Sequence, residues 1–366
     1  MNKGDCDLEL FDSNEQQGQY RQRGLFGQHG QHGQRGKKTA KIILLVIMFI
    51  SSALLITYST LLSLPKSVTA SLKAETKKVI VIGKSKEAIS FWISLLDGIE
   101  AAASEFDVEY KYWAPDTESD IDDQITLVYR AIGENPDAII LASSDYARLA
   151  QPARAVRKAG IILIKLDSDV DETRQTVSSC FVATDNVAAG IKAGEAMKAL
   201  LPEGKKVAVI SHQIGTATST DRDNGVRQGL GTEITVLVTA DADGSEEKAY
   251  EMAAEILKDP EVGGIVCLNE YSTTGGARAI LGAGKSGEVI LVGFDNSRTL
   301  NIYLEEGVLM ATVIQRPFNM GYIAIKNAAI LIDGGTVDAV YDTGSILVTK
   351  DTMYNEENEK LLFPFT

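Results

Sequence analysis

The chain has 366 residues, with 36 Lys and Arg against 50 Asp and Glu and a formal net charge of −14. That length suffices for two cores of ordinary size, and the acidic balance argues against nucleic acid as a partner. Cys6, Cys180 and Cys267 cannot all pair and match no zinc spacing; the latter two lie in apolar runs, where buried free thiols are expected.

Charge is spread unevenly. Residues 1–41 hold seven Lys or Arg and five Asp or Glu, residues 42–70 hold only Lys66, and residues 71–366 hold 28 basic against 45 acidic side chains. The first stretch includes Gly27-Gln28-His29-Gly30-Gln31-His32-Gly33-Gln34. Such a polar repeat has no core to bury, so 1–41 is expected to be a disordered cytoplasmic segment. His29 and His32 lack a neighbouring thiol or carboxylate and are expected to be solvated. Residues 42–64 then run for 23 positions without a charge, close to the ~20 that cross a bilayer as a helix. Lys37, Lys38 and Lys41 precede them, which places the N-terminus in the cytoplasm and the acidic domain outside. A signal peptide cleaved after Val68-Thr69-Ala70 is the alternative, but its apolar core is usually only about 7–15 residues. An uncleaved anchor followed by a linker over 65–77 is the expectation.

Beyond the linker, short β-branched runs alternate with amphipathic helical stretches, the signature of parallel sheets covered by helices. Strands are predicted at 79–83, 108–113, 138–142, 161–166 and 177–183, and again at 206–211, 233–239, 263–268, 289–294 and 310–315. The first four starts recur at offsets of 125 to 128 residues, which predicts two doubly wound α/β lobes of similar wiring. Pro152 and Pro317 suit helix starts, Asp185 an N-cap and Gly160 a helix stop.

In open α/β sheets ligands sit outside the carboxyl ends of the strands. Those positions carry Lys84-Ser85, Ser143-Ser144-Asp145, Asp167-Ser168-Asp169, Asn269-Glu270, Asp295-Asn296 and Gln315-Arg316. Amide and carboxylate groups there could each engage two adjacent hydroxyls, as a sugar presents. Phe91 and Trp92 offer flat faces for the apolar side of a pyranose, with one expected in contact and the other in the core. Taken singly, Asp145 and Asp185 suit helix caps as well as ligand contacts, and Asp167 and Asp295 suit Asx turns. Gly282-Ala283-Gly284-Lys285-Ser286 has Ala279 where a phosphate loop needs glycine, and it leads into a strand rather than a helix. His212 is the one histidine in the globular part, and no nucleophile elbow accompanies it. Catalysis, cofactors and metals are therefore not expected.

Six segments together resemble the type I periplasmic sugar-binding proteins, the ribose-binding family. They are Phe91-Trp92-Ile93-Ser94-Leu95-Leu96-Asp97-Gly98, Thr184-Asp185-Asn186-Val187-Ala188-Ala189-Gly190, Asp221-Arg222-Asp223-Asn224-Gly225, Ala283-Gly284-Lys285-Ser286, Val292-Gly293-Phe294-Asp295 and Ala311-Thr312-Val313-Ile314-Gln315-Arg316-Pro317. The resemblance implies an N-terminal lobe of 78–184 plus 316–344 and a C-terminal lobe of 185–315 plus 345–366, joined by a three-stranded hinge. It implies ligand contacts at Phe91, Trp92, Asp167, Arg222, Asn269, Asp295 and Gln315; Ser85, Asp145, Ser168 and Thr220 complete the expected set. Ile89, Ala142, Ser168 and Gly244 depart from the ribose-binding pattern, which points to another pentose, a hexose or a related polyol.

The implied role is delivery of sugar to an ABC-type permease. The alternative is an anchored sensor of sugar or autoinducer-2 serving a membrane histidine kinase, since Lys84 with Asp167-Ser168-Asp169 also resembles autoinducer-2 receptors. A LacI-type regulator shares the fold, but it needs a DNA-binding headpiece where this chain carries its apolar segment.

Overall fold

The computed structural model describes residues 33–62, 76–87 and 89–363. It divides into two compact units, Met1–Ala74 and Glu75–Thr366. In the first, helix α1 spans Gly33–Leu62, so residues 33–41 are helical where the polar composition suggested no structure. Residues 1–32 and the linker positions 65–75 lie outside the described residues. Within α1, Lys41–Ser59 has a mean hydropathy of 2.4 and none of its side chains is buried. A helix so apolar on every face suits lipid.

The second unit holds two six-stranded sheets. The first sheet is built from β1 (Lys77–Ile82), β2 (Val108–Trp113), β3 (Ala138–Leu141), β4 (Ile162–Leu166), β5 (Cys180–Ala183) and β11 (Val340–Asp342). They lie in the order β11-β5-β4-β3-β1-β2 and all pair in parallel. The second comprises β6 (Lys206–Ser211), β7 (Val236–Asp241), β8 (Val262–Cys267), β9 (Ile290–Phe294), β10 (Ala311–Ile314) and β12 (Ile346–Thr349). Its order is β12-β10-β9-β8-β6-β7, and only the β10/β12 pair is antiparallel. Lys77 therefore begins a strand rather than ending a linker.

Ten of these strands fall on predicted runs. β11 and β12 do not, being three and four residues long and only partly buried. β5 starts later than expected because Glu172 Oε1 takes the backbone N–H groups of Val177 and Ser178, at 2.9 and 2.7 Å.

The chain passes between the lobes after β5, after β10 and between β11 and β12. The first and third passages are tied side by side, since Asp185 N donates to Asp342 Oδ1 at 3.0 Å and Thr343 N to Ala183 O at 2.9 Å. Asp185 also caps α5 (Asn186–Leu200) through Ala188 N, and Pro317 opens α10 (Pro317–Ile332).

Helix pairs pack backbone to backbone in both lobes. In the first lobe, a Cβ on Gly98 of α2 (Ser90–Glu105) would lie 2.0 Å from Phe318 O, and one on Gly321 would lie 2.1 Å from Leu95 O. In the second, a Cβ on Gly190 of α5 would lie 2.3 Å from Arg222 O, and one on Gly225 of α6 (Ala217–Leu230) would lie 2.2 Å from Val187 O. Only glycine permits these approaches. They hold the helices carrying Phe91, Trp92 and Arg222 tightly against their neighbouring helices. Cys180 and Cys267 are free and buried, and burial pushes the Cys180 thiol up to about 11. Cys6 lies outside the described residues.

Candidate ligand-binding site

The carboxyl ends of the two sheets face one another across a small cavity of about 30 Å³. From the first lobe it is lined by Lys84, Ile89, Phe91, Trp92, Glu118 and Asp167. From the second come His212, Thr218, Arg222, Asn269 and Asp295, and Gln315 stands at the passage after β10. The lobes touch directly around it: Tyr146 N donates to Gly215 O at 2.8 Å, and Gln213 Nε2 to Glu118 O at 3.1 Å.

Asp167 and Asp295 follow β4 and β9 with φ of 61° and 68°. The left-handed region is costly for a side chain with a Cβ, by about 1–3 kcal/mol, and such strain concentrates at functional sites. Asp167 accepts from Lys84 Nζ at 2.6 Å, with both side chains buried. Asp295 accepts from Gln315 Nε2 at 2.6 Å and from Glu270 N at 3.2 Å. Burial pushes its carboxyl up, while the Arg222 guanidinium and the Gln315 bond hold it down.

Arg222 donates to Asn186 Oδ1 at 2.8 Å and to Leu268 O at 2.6 Å, and its guanidinium lies 4.7 Å from the Phe294 ring centroid. That arrangement fixes a planar cation in the wall. Asn269 caps α8 (Glu270–Gly282) in a capping box with Ser272.

Phe91 and Trp92 pack edge to face, 5.1 Å apart at 89°. Both line the cavity and both belong to the first lobe's core, so the expected division into one contact and one core residue does not occur. Trp92 Nε1 donates to Glu118 Oε1 at 3.4 Å. Burial pushes the Glu118 carboxyl up, against the pull of Lys84. His212 is held neutral by burial and by Arg222 and Lys84. Glu118 Oε2, His212 Nδ1 and Gln315 Oε1 are buried without a hydrogen-bond partner in the protein. Buried polar atoms are normally paired, so these cavity residues have capacity left for a hydroxylated guest.

Seven of the eleven expected contacts thus meet: Phe91, Trp92, Asp167, Arg222, Asn269, Asp295 and Gln315. Four do not line the cavity. Ser85 Oγ donates to Asp116 O and accepts from Glu87 N, serving its own loop. Asp145 caps a turn through Ala147 N and Arg148 N. Ser168 is buried beside Asp167, and its Oγ has no hydrogen-bond partner in the protein. Thr220 is exposed and bonds back to Thr216 O. It misses because Thr218 and Arg222, four apart, share one face of α6 and position 220 points off it.

Sequence reasoning missed Glu118, Thr218 and Ile89 as contacts and weighed His212 only for catalysis. Lys84 stands among the strand-end residues named from the sequence, and His212, which directly follows β6, falls under the same rule. Glu118 lies in the loop beyond β2, and no local pattern marks it.

Two doubly wound lobes closing on a polar cavity with an aromatic wall define a solute receptor. The chain belongs to the periplasmic binding protein domain family, whose model matches residues 79–336. It is 32% identical over 244 residues to the D-allose-binding periplasmic protein of Escherichia coli, covering 64% of this chain and 78% of that protein. A sugar transporter structure from Clostridium phytofermentans matches with a TM-score of 0.70 at 35% identity, over 75% of this chain and all of that one. An ABC transporter solute-binding protein from Agrobacterium vitis with bound D-fucose matches with a TM-score of 0.75 at 28% identity, over 78% and 100% of the two chains.

Proposed function

We propose that the chain is an extracytoplasmic sugar-binding protein of an ABC-type importer, and that its ligand is an aldohexose of the D-allose kind. The observation that carries this is the convergence of Asp167, Arg222, Asn269, Asp295 and Gln315 from separate lobes, beside the Phe91 and Trp92 rings. Charged and amide groups on opposite walls hold hydroxyls by charge-assisted bonds, and the rings take the C–H face. Because these contacts come from both lobes, sugar favours the closed form over an open one. The passages after β5, after β10 and between β11 and β12 form the hinge. Import rather than sensing is supported by a ribose import binding protein of E. coli, 27% identical over 286 residues, and by the A. vitis ABC transporter protein. The chain binds and releases its guest unchanged, and α1 holds it at the outer face of the membrane with the N-terminus inside.

A thermal-shift screen of pentoses, hexoses, polyols and autoinducer-2 tests the ligand, because a ligand selective for the folded state raises Tm. D-allose at about 100 times its Kd is expected to add about 2.7 kcal/mol of stability and shift Tm by several degrees. A panel that leaves Tm unmoved would refute sugar binding. Protease treatment of intact cells should remove the acidic domain and leave α1 protected, whereas a mature protein starting near Ser71 would rule the anchor out.

A further inference from the structure

Helix α2 begins at the cleft rim of the first lobe, and its N-cap residue, Ile89, supplies no side-chain bond to the first turn. The free N–H groups of a helix start need such a partner. Facing it from the second lobe is Glu270, the first residue of α8, only 9% exposed. Ser90 Oγ donates to Glu270 Oε1 at 3.4 Å, and the backbone N–H groups of Ser90 and Phe91 also favour this carboxylate. Its Oε2 has no partner in the protein. One residue further, the Tyr271 hydroxyl donates to the Glu87 carboxylate across the same rim.

We propose that Glu270 is a positioning residue for ligand binding, capping helix α2 from the opposite lobe only when the lobes meet and so latching Phe91 and Trp92 over the guest. The inference rests on the cleft being the ligand site. The latch is also proton-linked. Burial, reinforced by Asp295 behind it, raises the Glu270 carboxyl from its ordinary 4.5 to about 7. The other charges on this rim are Glu87 and Glu118, which act on Tyr271. The closed form therefore binds the proton more tightly than an open form with Glu270 in water. Closure takes up a proton between about pH 4.5 and 7, and this contribution to affinity fades as pH rises through 7.

The test uses the full chain in detergent with D-allose as the probe. Calorimetry near pH 6, in buffers of different ionisation enthalpy, should read an uptake that falls by nearly one proton in Glu270→Gln. The amide mimics the protonated acid without having to take up a proton, so Glu270→Gln should bind up to about thirtyfold more tightly than wild type at pH 6 and lose that advantage at pH 4.5, whereas Glu270→Ala, which lacks the cap, should bind about tenfold more weakly than Glu270→Gln. Uptake that is identical in wild type and Glu270→Gln overturns the latch. If D-allose does not bind, that sugar is excluded and the latch is read without ligand. Spin labels at Glu100→Cys and Glu288→Cys, in a Cys6→Ser background, should then report shorter interlobe distances at pH 6 than at pH 8 in wild type but not in Glu270→Gln. The same pH response in both overturns it.

Discussion

Replacing Asp295 with alanine is expected to weaken sugar binding by about 2–4 kcal/mol, roughly 30- to 1,000-fold. Asp295 is buried at the centre of the cavity, held in a left-handed backbone and oriented by Gln315 Nε2 and Glu270 N. Alanine removes a charge-assisted acceptor for ligand hydroxyls and leaves both donors and the nearby Arg222 without their acidic counterpart. Asparagine is the milder substitute. Its Oδ1 can keep the bond from Glu270 N and a flipped Gln315 amide can accept from its NH2 group, so Asp295→Asn should lose chiefly the charge-assisted bonds to ligand hydroxyls. Calorimetry with D-allose measures the effect, and a melting curve of the variant separates lost binding from lost folding. Unchanged affinity in a folded Asp295→Ala protein would remove this residue from the site.

Arg222→Met should cost more broadly, lowering stability by about 3–5 kcal/mol as well as abolishing binding. Methionine fills much of the space but breaks the bonds to Asn186 Oδ1 and Leu268 O and the contact with Phe294. It also removes the cation that offsets Asp295 in a buried site. Asn186 begins α5 just after the first passage between the lobes, so the loss reaches the hinge as well as the wall. Arg222→Lys should recover only part, because a compact ammonium cannot span two acceptors and lie over a ring as a planar fork does. Urea unfolding of each variant gives the stability change. A midpoint within error of wild type for Arg222→Met would show that the guanidinium serves ligand alone.

The second-lobe glycines bear on the same result. Gly190 lets the Arg222 carbonyl approach α5, so the depth of the guanidinium depends on a residue with no chemistry of its own. Sequence reading marked Gly190 and Gly225 as family residues without a reason. The reason is a helix crossing visible only once α5 and α6 are in place.

Ten strands, their parallel pairing into two lobes and the apolar segment before them were determined by local pattern alone. Short β-branched runs, charge-free length and strand-end polarity act over a few residues and are read directly. The residues at strand ends followed from one topological rule, and Asp167, Asn269, Asp295 and Gln315 all obey it. Tertiary structure decided the rest. It selected Thr218 over Thr220 by helix phase, gave Ser85 and Asp145 to their own turns, and brought Glu118 to the cleft from a position no spacing distinguishes. Which of two nearby polar side chains reaches a cavity depends on packing between elements distant in the chain, and that information is held in the fold's geometry rather than in any window of sequence.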